Sequence, residues 1–303
     1  MTDDPDKYPR YRAAIEMLTV LDPLLAHAAR TAFTIQGDPL GTVAESILAL
    51  VASSYPADAV ERYVRRAHQL QHLQQRFDAA PATARLGDPT VRVSRDDYDI
   101  ALLLSIVFTN HRYELVSKLR AFAEFVRRPQ GRIASIGMGT GYELVALARM
   151  LKRWTIEGYD TDPAAHDSAR RALAHFKIAT PVSLCHEFPL SIPRADLMGA
   201  YDALVLCEVL EHLEAPLAAL RCVRACLSET GAAFVTMAVN IAQEDHVYWY
   251  PDIESCRRQI ADAELVVTTE WIVPAIAHVS EHAREQPRAL ERGNYVAVVG
   301  RRP

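Results

Sequence analysis

Residues 137–141 read Gly-Met-Gly-Thr-Gly, between a short apolar run (Arg132 to Ile136) and a helical pattern (Tyr142 to Leu151). Three glycines where a period of two gives way to a period of 3.6 constrain this chain more than anything else in it. They let the backbone turn tightly and approach a ligand with no side chain in the way. The same alternation continues downstream. Thr155 to Tyr159, Val182 to Cys185, Tyr201 to Cys207 and Ala232 to Met237 read as strands, with helical patterns at Tyr142 to Leu151, Pro163 to Phe176 and Ala215 to Leu227. The tail adds a helix, Ile253 to Ala263, and two strands, Leu265 to Trp271 and Tyr295 to Val299. Strands alternating with helices predict an α/β fold with a doubly wound, mostly parallel seven-stranded sheet.

The first third is different. Tyr11 to Ala32, Leu40 to Ala52 and Asp58 to Phe77 carry apolar residues at three-and-four spacing and read as helices. Ala79 to Val93, with Pro81, Gly87 and Pro89, reads as a linker. Ser94 is expected to cap a helix through Tyr98, Leu102 and Ile106, with Asp97 at the capping-box position. A further helical run, Glu114 to Phe125, leads to Pro129-Gln130-Gly131. The expected organisation is an all-helical front region, residues 1–109, and a catalytic domain, residues 110–303.

Half of the 303 residues are hydrophobic, enough for one large domain or two modest ones. Charge is balanced, 33 basic against 38 acidic residues, whereas a chain built to grip nucleic acid usually carries a basic excess. The opening Met1 to Lys7 is acidic and polar, unlike a secretory leader, and no apolar run approaches the ~18 residues of a membrane span. Cysteines 185, 207, 222, 226 and 256 are odd in number and lack paired spacing, which points to reduced thiols in a cytoplasm. The oligomeric state stays open, a homodimer included.

The glycine spacing is short of the dinucleotide pattern, which would want glycine or alanine at Tyr142. It suits a ligand lying against the loop. Asp160, 19 residues after Gly141 at the end of the next strand, can accept two ribose hydroxyls side by side, while Asp162 before Pro163 is the better helix cap. The segment Tyr201-Asp-Ala-Leu-Val-Leu-Cys207-Glu208-Val-Leu-Glu211-His212-Leu213 closes the fourth strand.

In that order these motifs resemble the class I S-adenosylmethionine-dependent methyltransferases, in particular the small-molecule and ubiquinone-pathway group with its EVLEHL segment, over about residues 131–273. The resemblance implies that Gly137, Gly139 and Gly141 line the methionine part of S-adenosyl-L-methionine and that Asp160 holds its ribose. It also implies that Glu187 and Phe188 lie near the adenine, and that Cys207 and Glu208 face the methyl group. One position departs: the family usually has an acid two residues before the first glycine, where this chain has Ser135.

Asn240 to Tyr250, with Glu244, Asp245, His246 and three aromatics, follows the fifth strand, where open α/β sheets receive substrate. His246 and His212 are candidate bases for a hydroxyl or protonated-amine acceptor, with Glu208 and Asp245 beside them. For a thioether or tertiary amine the acids and aromatics would instead stabilise a cation. Glu208, Glu211 and His212 at i, i+3 and i+4 would share a helical face, and with His246 they are candidate metal ligands. This pattern resembles the RNA 3′-end 2′-O-methyltransferases. Tyr113, on the helix before the catalytic domain, is a candidate contact to cofactor or substrate. The expected enzyme methylates a small-molecule acceptor under a helical lid. An RNA methyltransferase and a non-catalytic cofactor-binding protein are the rival readings.

Overall fold

The computed structural model describes residues 7–80, 93–275 and 292–301. The front region is helical as expected, but the run Tyr11 to Ala32 is two helices, α1 (Pro9–Leu21) and α2 (Pro23–Gln36). Pro23 cannot continue α1, and Asp22 starts α2 by accepting the Leu24 and Leu25 N–H groups at 2.9 and 3.0 Å. Then come α3 (Asp38–Ser54), α4 (Ala59–Ala79), α5 (Arg95–Phe108) and α6 (Asn110–Val126). Most of the expected linker, 81–92, lies outside the described residues. Ser94 caps α5 through the Asp97 N–H at 3.2 Å. The Asp97 carboxylate completes the pair by accepting the Ser94 hydroxyl at 2.6 Å, where a full capping box would take the Ser94 backbone N–H.

The strands are β1 (Arg132–Ile136), β2 (Thr155–Tyr159), β3 (Val182–Cys185), β4 (Tyr201–Leu206), β5 (Leu227–Val239), β6 (Leu265–Pro274) and β7 (Gly293–Arg301). They form one seven-stranded sheet in the order β3-β2-β1-β4-β5-β7-β6, parallel through β5, with β7 antiparallel to both neighbours. The helices between them are α7 (Tyr142–Met150), α8 (Pro163–His175), α9 (Pro216–Cys226) and α10 (Ile253–Asp262). Ile136 pairs with Tyr159 on one side and Leu206 on the other. The chain therefore leaves β1, β2 and β4 side by side at one edge, with residues 137, 160 and 207 adjacent.

Both sheet faces are covered, which is why Ala203 to Leu206 is apolar without a break and fully buried. The front helices build their own core on Leu40, Ile47 and Leu103, and Tyr142, Val145 and Ala172 from α7 and α8 complete it. Leu115, Leu119 and Phe122 of α6 belong to the sheet core. Packing is thus continuous across the boundary expected at residue 109. All five cysteines are free. Among the described residues, no single helix is long and apolar enough to cross a membrane.

Candidate functional site

At the edge where β1, β2 and β4 end, the glycine turn is held by short backbone bonds. The Gly137 and Met138 N–H groups both donate to the Tyr159 carbonyl, at 2.8 and 3.1 Å, and Gly141 N–H donates to Met138 O at 2.8 Å. Asp160 locks the turn from the other side. Its Oδ2 accepts Gly139 N–H at 3.0 Å and its Oδ1 accepts Asp162 N–H at 2.9 Å. Asp162, in turn, caps α8 by accepting Ala164 N–H at 2.9 Å. Capping therefore falls to Asp162, and the Asp160 carboxylate faces a cavity of about 700 Å³, a volume within the ~300–1,000 Å³ of small-molecule sites.

Gly137, Gly139 and Asp160 line one half of this cavity, with His186 and Phe188 beside them. Phe188 is anchored edge-on to Tyr159, ring centroids 5.2 Å apart. Glu187 and Gly141 are not among the lining residues. A Cβ at Gly141 would lie 2.5 Å from Ala169 Cα, so this glycine serves the close approach of α7 and α8. The other half is lined by Glu208, His212, Leu213, Gln243, Glu244 and Asp245, whereas the candidates Glu211 and His246 are buried and not among the lining residues. Cys207 is buried behind the lining, and burial pushes its thiol far up.

Glu208, Glu211 and His212 do not share a helical face. The chain leaves β4 with Glu208 in the left-handed region (φ +59°), and only Leu210–His212 forms a helical turn, of the tighter 3₁₀ kind. Glu208 is thereby turned toward α6, where Arg112 pairs with it at 3.0 Å, and Thr236 donates to it at 2.8 Å. Burial opposes its charge, but Arg112 prevails and keeps the carboxyl below its usual range.

The remaining three candidate metal ligands do converge. Glu211, His212 and His246 have ligand atoms within 4.8 Å of one another. Asp245 joins them, its Oδ2 lying 3.3 Å from His212 Nδ1. Burial disfavours a charged His212, yet the hydrogen bond and charge of Asp245, with the charge of Glu211, hold it at about 9. The same partnership brings Asp245 down to about 2, against the opposing effect of burial. Burial and the neighbouring His212 depress His246 to about 4, so it is neutral at physiological pH. Burial, then the charge of Glu208, push Glu211 up to about 8, and among the described residues neither of its oxygens finds a hydrogen-bond partner.

The ceiling comes from the front helices: Arg66 of α4, and Arg95 and Tyr98 of α5, line the cavity. The Tyr98 hydroxyl is within electrostatic reach of both Asp160 and Asp245. Tyr113 is instead buried in the front-helix core. Sequence reading missed Arg66, Arg95, Tyr98 and Arg112, which carry no local signal of their destination. It also missed Glu143 on the first turn of α7. Burial raises this carboxyl to about 7 despite nearby Arg112, and Glu208 and Asp160 add to the rise. Ser135 is itself buried, with its hydroxyl unpartnered among the described residues.

A family model described as "Methyltransferase domain" matches residues 108–290, more than half of the chain. Among solved structures, the chain is similar to geranyl diphosphate C-methyltransferase from Streptomyces coelicolor A3(2) (16% identity, 72% of this chain and 87% of that one, TM-score 0.50). It is also similar to an O-methyltransferase family protein from Burkholderia thailandensis (16% identity, 86% and 72%, TM-score 0.49). A third is the [4+2]-cyclase SpnF (15% identity, 77% and 92%, TM-score 0.47). At 16% identity the likeness to the first of these speaks for the fold alone. No curated protein matches the chain.

Proposed function

Because this chain belongs to the methyltransferase-domain family, with S-adenosylmethionine as its methyl donor, we propose that it methylates a small molecule held beneath the front helices. The observation that carries this is the single cavity joining Asp160 and the glycine turn to Glu208, His212 and Asp245 under Tyr98. In the proposed arrangement Asp160 takes the ribose hydroxyls, Gly137 and Gly139 lie along the methionine part, and Phe188 with His186 flanks the adenine. Glu208 and Tyr98 then stand near the methyl group, and Tyr98 takes the role expected of Tyr113.

Methyl transfer is an in-line displacement in which the cofactor supplies the activated carbon and the protein supplies alignment and exclusion of water. The acceptor's lone pair forms the new bond to carbon as the carbon–sulfur bond breaks and sulfur becomes neutral. A hydroxyl acceptor must also lose a proton. His246 Nδ1 lies 3.1 Å from the Ile241 carbonyl, which can only accept, so Nδ1 carries the hydrogen and Nε2 the lone pair. Neutral His246, packed edge-on behind the cavity-lining His212 with ring centroids 4.8 Å apart, is therefore the base in this reading, and protonated His212 is the group that orients Asp245.

Glu143 supplies a pH prediction. A carboxyl held near 7 is half protonated at neutral pH, and a cationic sulfonium cofactor favours its ionised form. Binding at pH 7 should release a proton, and affinity should rise as pH increases through 7. Calorimetry in two buffers of different ionisation enthalpy would read the release. A release that survives Glu143→Gln would remove Glu143 from this role.

A second reading of the acceptor end has its own observation, the buried Glu211 with both oxygens unpartnered among the described residues. His212 Nδ1 also faces protein oxygens, Asp245 O at 3.2 Å among them, so the Nε2 atoms of both histidines are left for a metal beside that carboxylate. Two imidazoles and one carboxylate suit zinc, manganese or iron(II) better than magnesium. One experiment covers these readings: labelled S-adenosylmethionine incubated with metabolite fractions or total RNA, with and without a chelator. Label should enter the small-molecule fraction. Transfer to RNA instead would overturn the proposed acceptor class, and turnover indifferent to the chelator would remove the metal.

A further inference from the structure

The loop from Asn240 to Tyr250 carries Asp245 and His246, and it is preformed. Asn240 sits in the left-handed region (φ +54°), and its side chain closes the loop by donating to Pro251 O at 2.8 Å and accepting Trp249 Nε1–H at 3.0 Å. The loop seats on the acceptor end through the Val247 and Tyr248 N–H groups, which both donate to the Glu211 carbonyl at 2.9 Å.

What presses it there is one face of α4. Arg66 clasps Glu244 with both guanidinium nitrogens, at 2.6 and 2.7 Å, although Arg66 is only 6% exposed. Two turns on, Gln74 donates to Asn240 O at 3.1 Å and accepts Ala242 N–H at 2.9 Å. Phe77 meets Trp249 edge-on at 6.3 Å. The first two turns of the same helix, through Ala59, Tyr63 and Val64, belong to the front-helix core. A guanidinium sequestered in this way is not there for solubility, because a bidentate pair fixes direction as well as distance.

We infer that Arg66 is a positioning residue: through Glu244 it holds the 240–250 loop on the Glu211 carbonyl and so fixes Asp245 and His246 at the acceptor end. This rests on the methyltransferase reading of the cavity. The glycine turn and Asp160 are held by bonds from Tyr159, Met138, Gly139 and Asp162, with none from α4 among the described residues, so loss of Arg66 should loosen the loop side of the cavity more than the glycine-turn side.

The test is hydrogen exchange on the full-length chain, with S-adenosylhomocysteine calorimetry alongside. In Arg66→Ala, exchange at Val247 and Tyr248 should accelerate by about tenfold or more, while β1, β4 and α5 keep wild-type protection. Glu244→Ala should do the same, and the double variant should add nothing, because each partner acts through the other. Arg66→Lys, a point charge in place of a fork, should fall between. Unchanged loop exchange in Arg66→Ala overturns the inference, and so does a rise shared by α3 and α5, which would mark Arg66 as a general packing residue. If Arg66→Ala does not fold, Arg66→Lys and Glu244→Gln carry the same two outcomes. A wild-type protein that binds no S-adenosylhomocysteine defeats the methyltransferase reading instead, whatever the loop does.

Discussion

Asp160→Ala should lose the cofactor while keeping the fold. Its carboxylate does two things at once: it orders the glycine turn through the Gly139 and Asp162 N–H groups and presents oxygens to the cavity. Hydrogen bonds to a charged group contribute about 1.5–3 kcal/mol each, and two ribose hydroxyls would be abandoned together. A loss of roughly 3–4 kcal/mol corresponds to a dissociation constant higher by two to three orders of magnitude. The residue lies at the surface of the cavity and not in a core, so unfolding should change little. Calorimetry with S-adenosylhomocysteine reads this directly, and a change of less than about threefold would contradict ribose binding by Asp160.

Gly141→Ala is expected to have the largest effect on stability. The residue is left-handed (φ +76°), and an added methyl would meet Ala169 Cα at 2.5 Å and its Cβ at 2.8 Å. Backbone of α8 cannot swing aside as a flexible side chain can, so α7 and α8 must separate. Overpacking and backbone strain together should destabilise by roughly 3–5 kcal/mol, lowering the melting temperature by on the order of 10 °C. Gly139→Ala is the control. It shares the left-handed backbone (φ +50°), but nothing lies nearer than 4.0 Å. That variant should lose only the ~1–2 kcal/mol of left-handed strain, with its damage showing in cofactor affinity, because Gly139 lines the cavity. Equal melting temperatures for the two variants would refute the division of labour between these glycines.

The meeting of the glycine turn with Asp160, which carries the proposed cofactor half, was legible because it is local. The turn at residues 137–141 and Asp160 lie on consecutive strand ends, and parallel pairing of β1 with β2 brings them together wherever the rest of the chain goes. The proposed acceptor half was legible in its residue types and misread in its geometry. Regular helical spacing grouped Glu208 with Glu211 and His212, but the left-handed turn at Glu208 sends it to Arg112 and leaves the other two with His246. Similarly, Tyr113 and Tyr98 are both tyrosines on front helices, and only packing decided that Tyr113 enters the core while Tyr98 meets the cavity.

The sequence by itself determined the order of strands and helices, the glycine turn and the cap at Asp162; the break at Asp22-Pro23 is local too, though the apolar spacing from Tyr11 to Ala32 runs straight through it. Each of these depends on neighbours within a few positions and on the chain's own period. Only the tertiary structure decided which charges meet: Arg66 reaches Glu244 across 178 positions, and Arg112 reaches Glu208 across 96. A residue's period tells which face it occupies. What faces it depends on how helices pack on one another and on the sheet, a property of shapes fitted together over the whole chain.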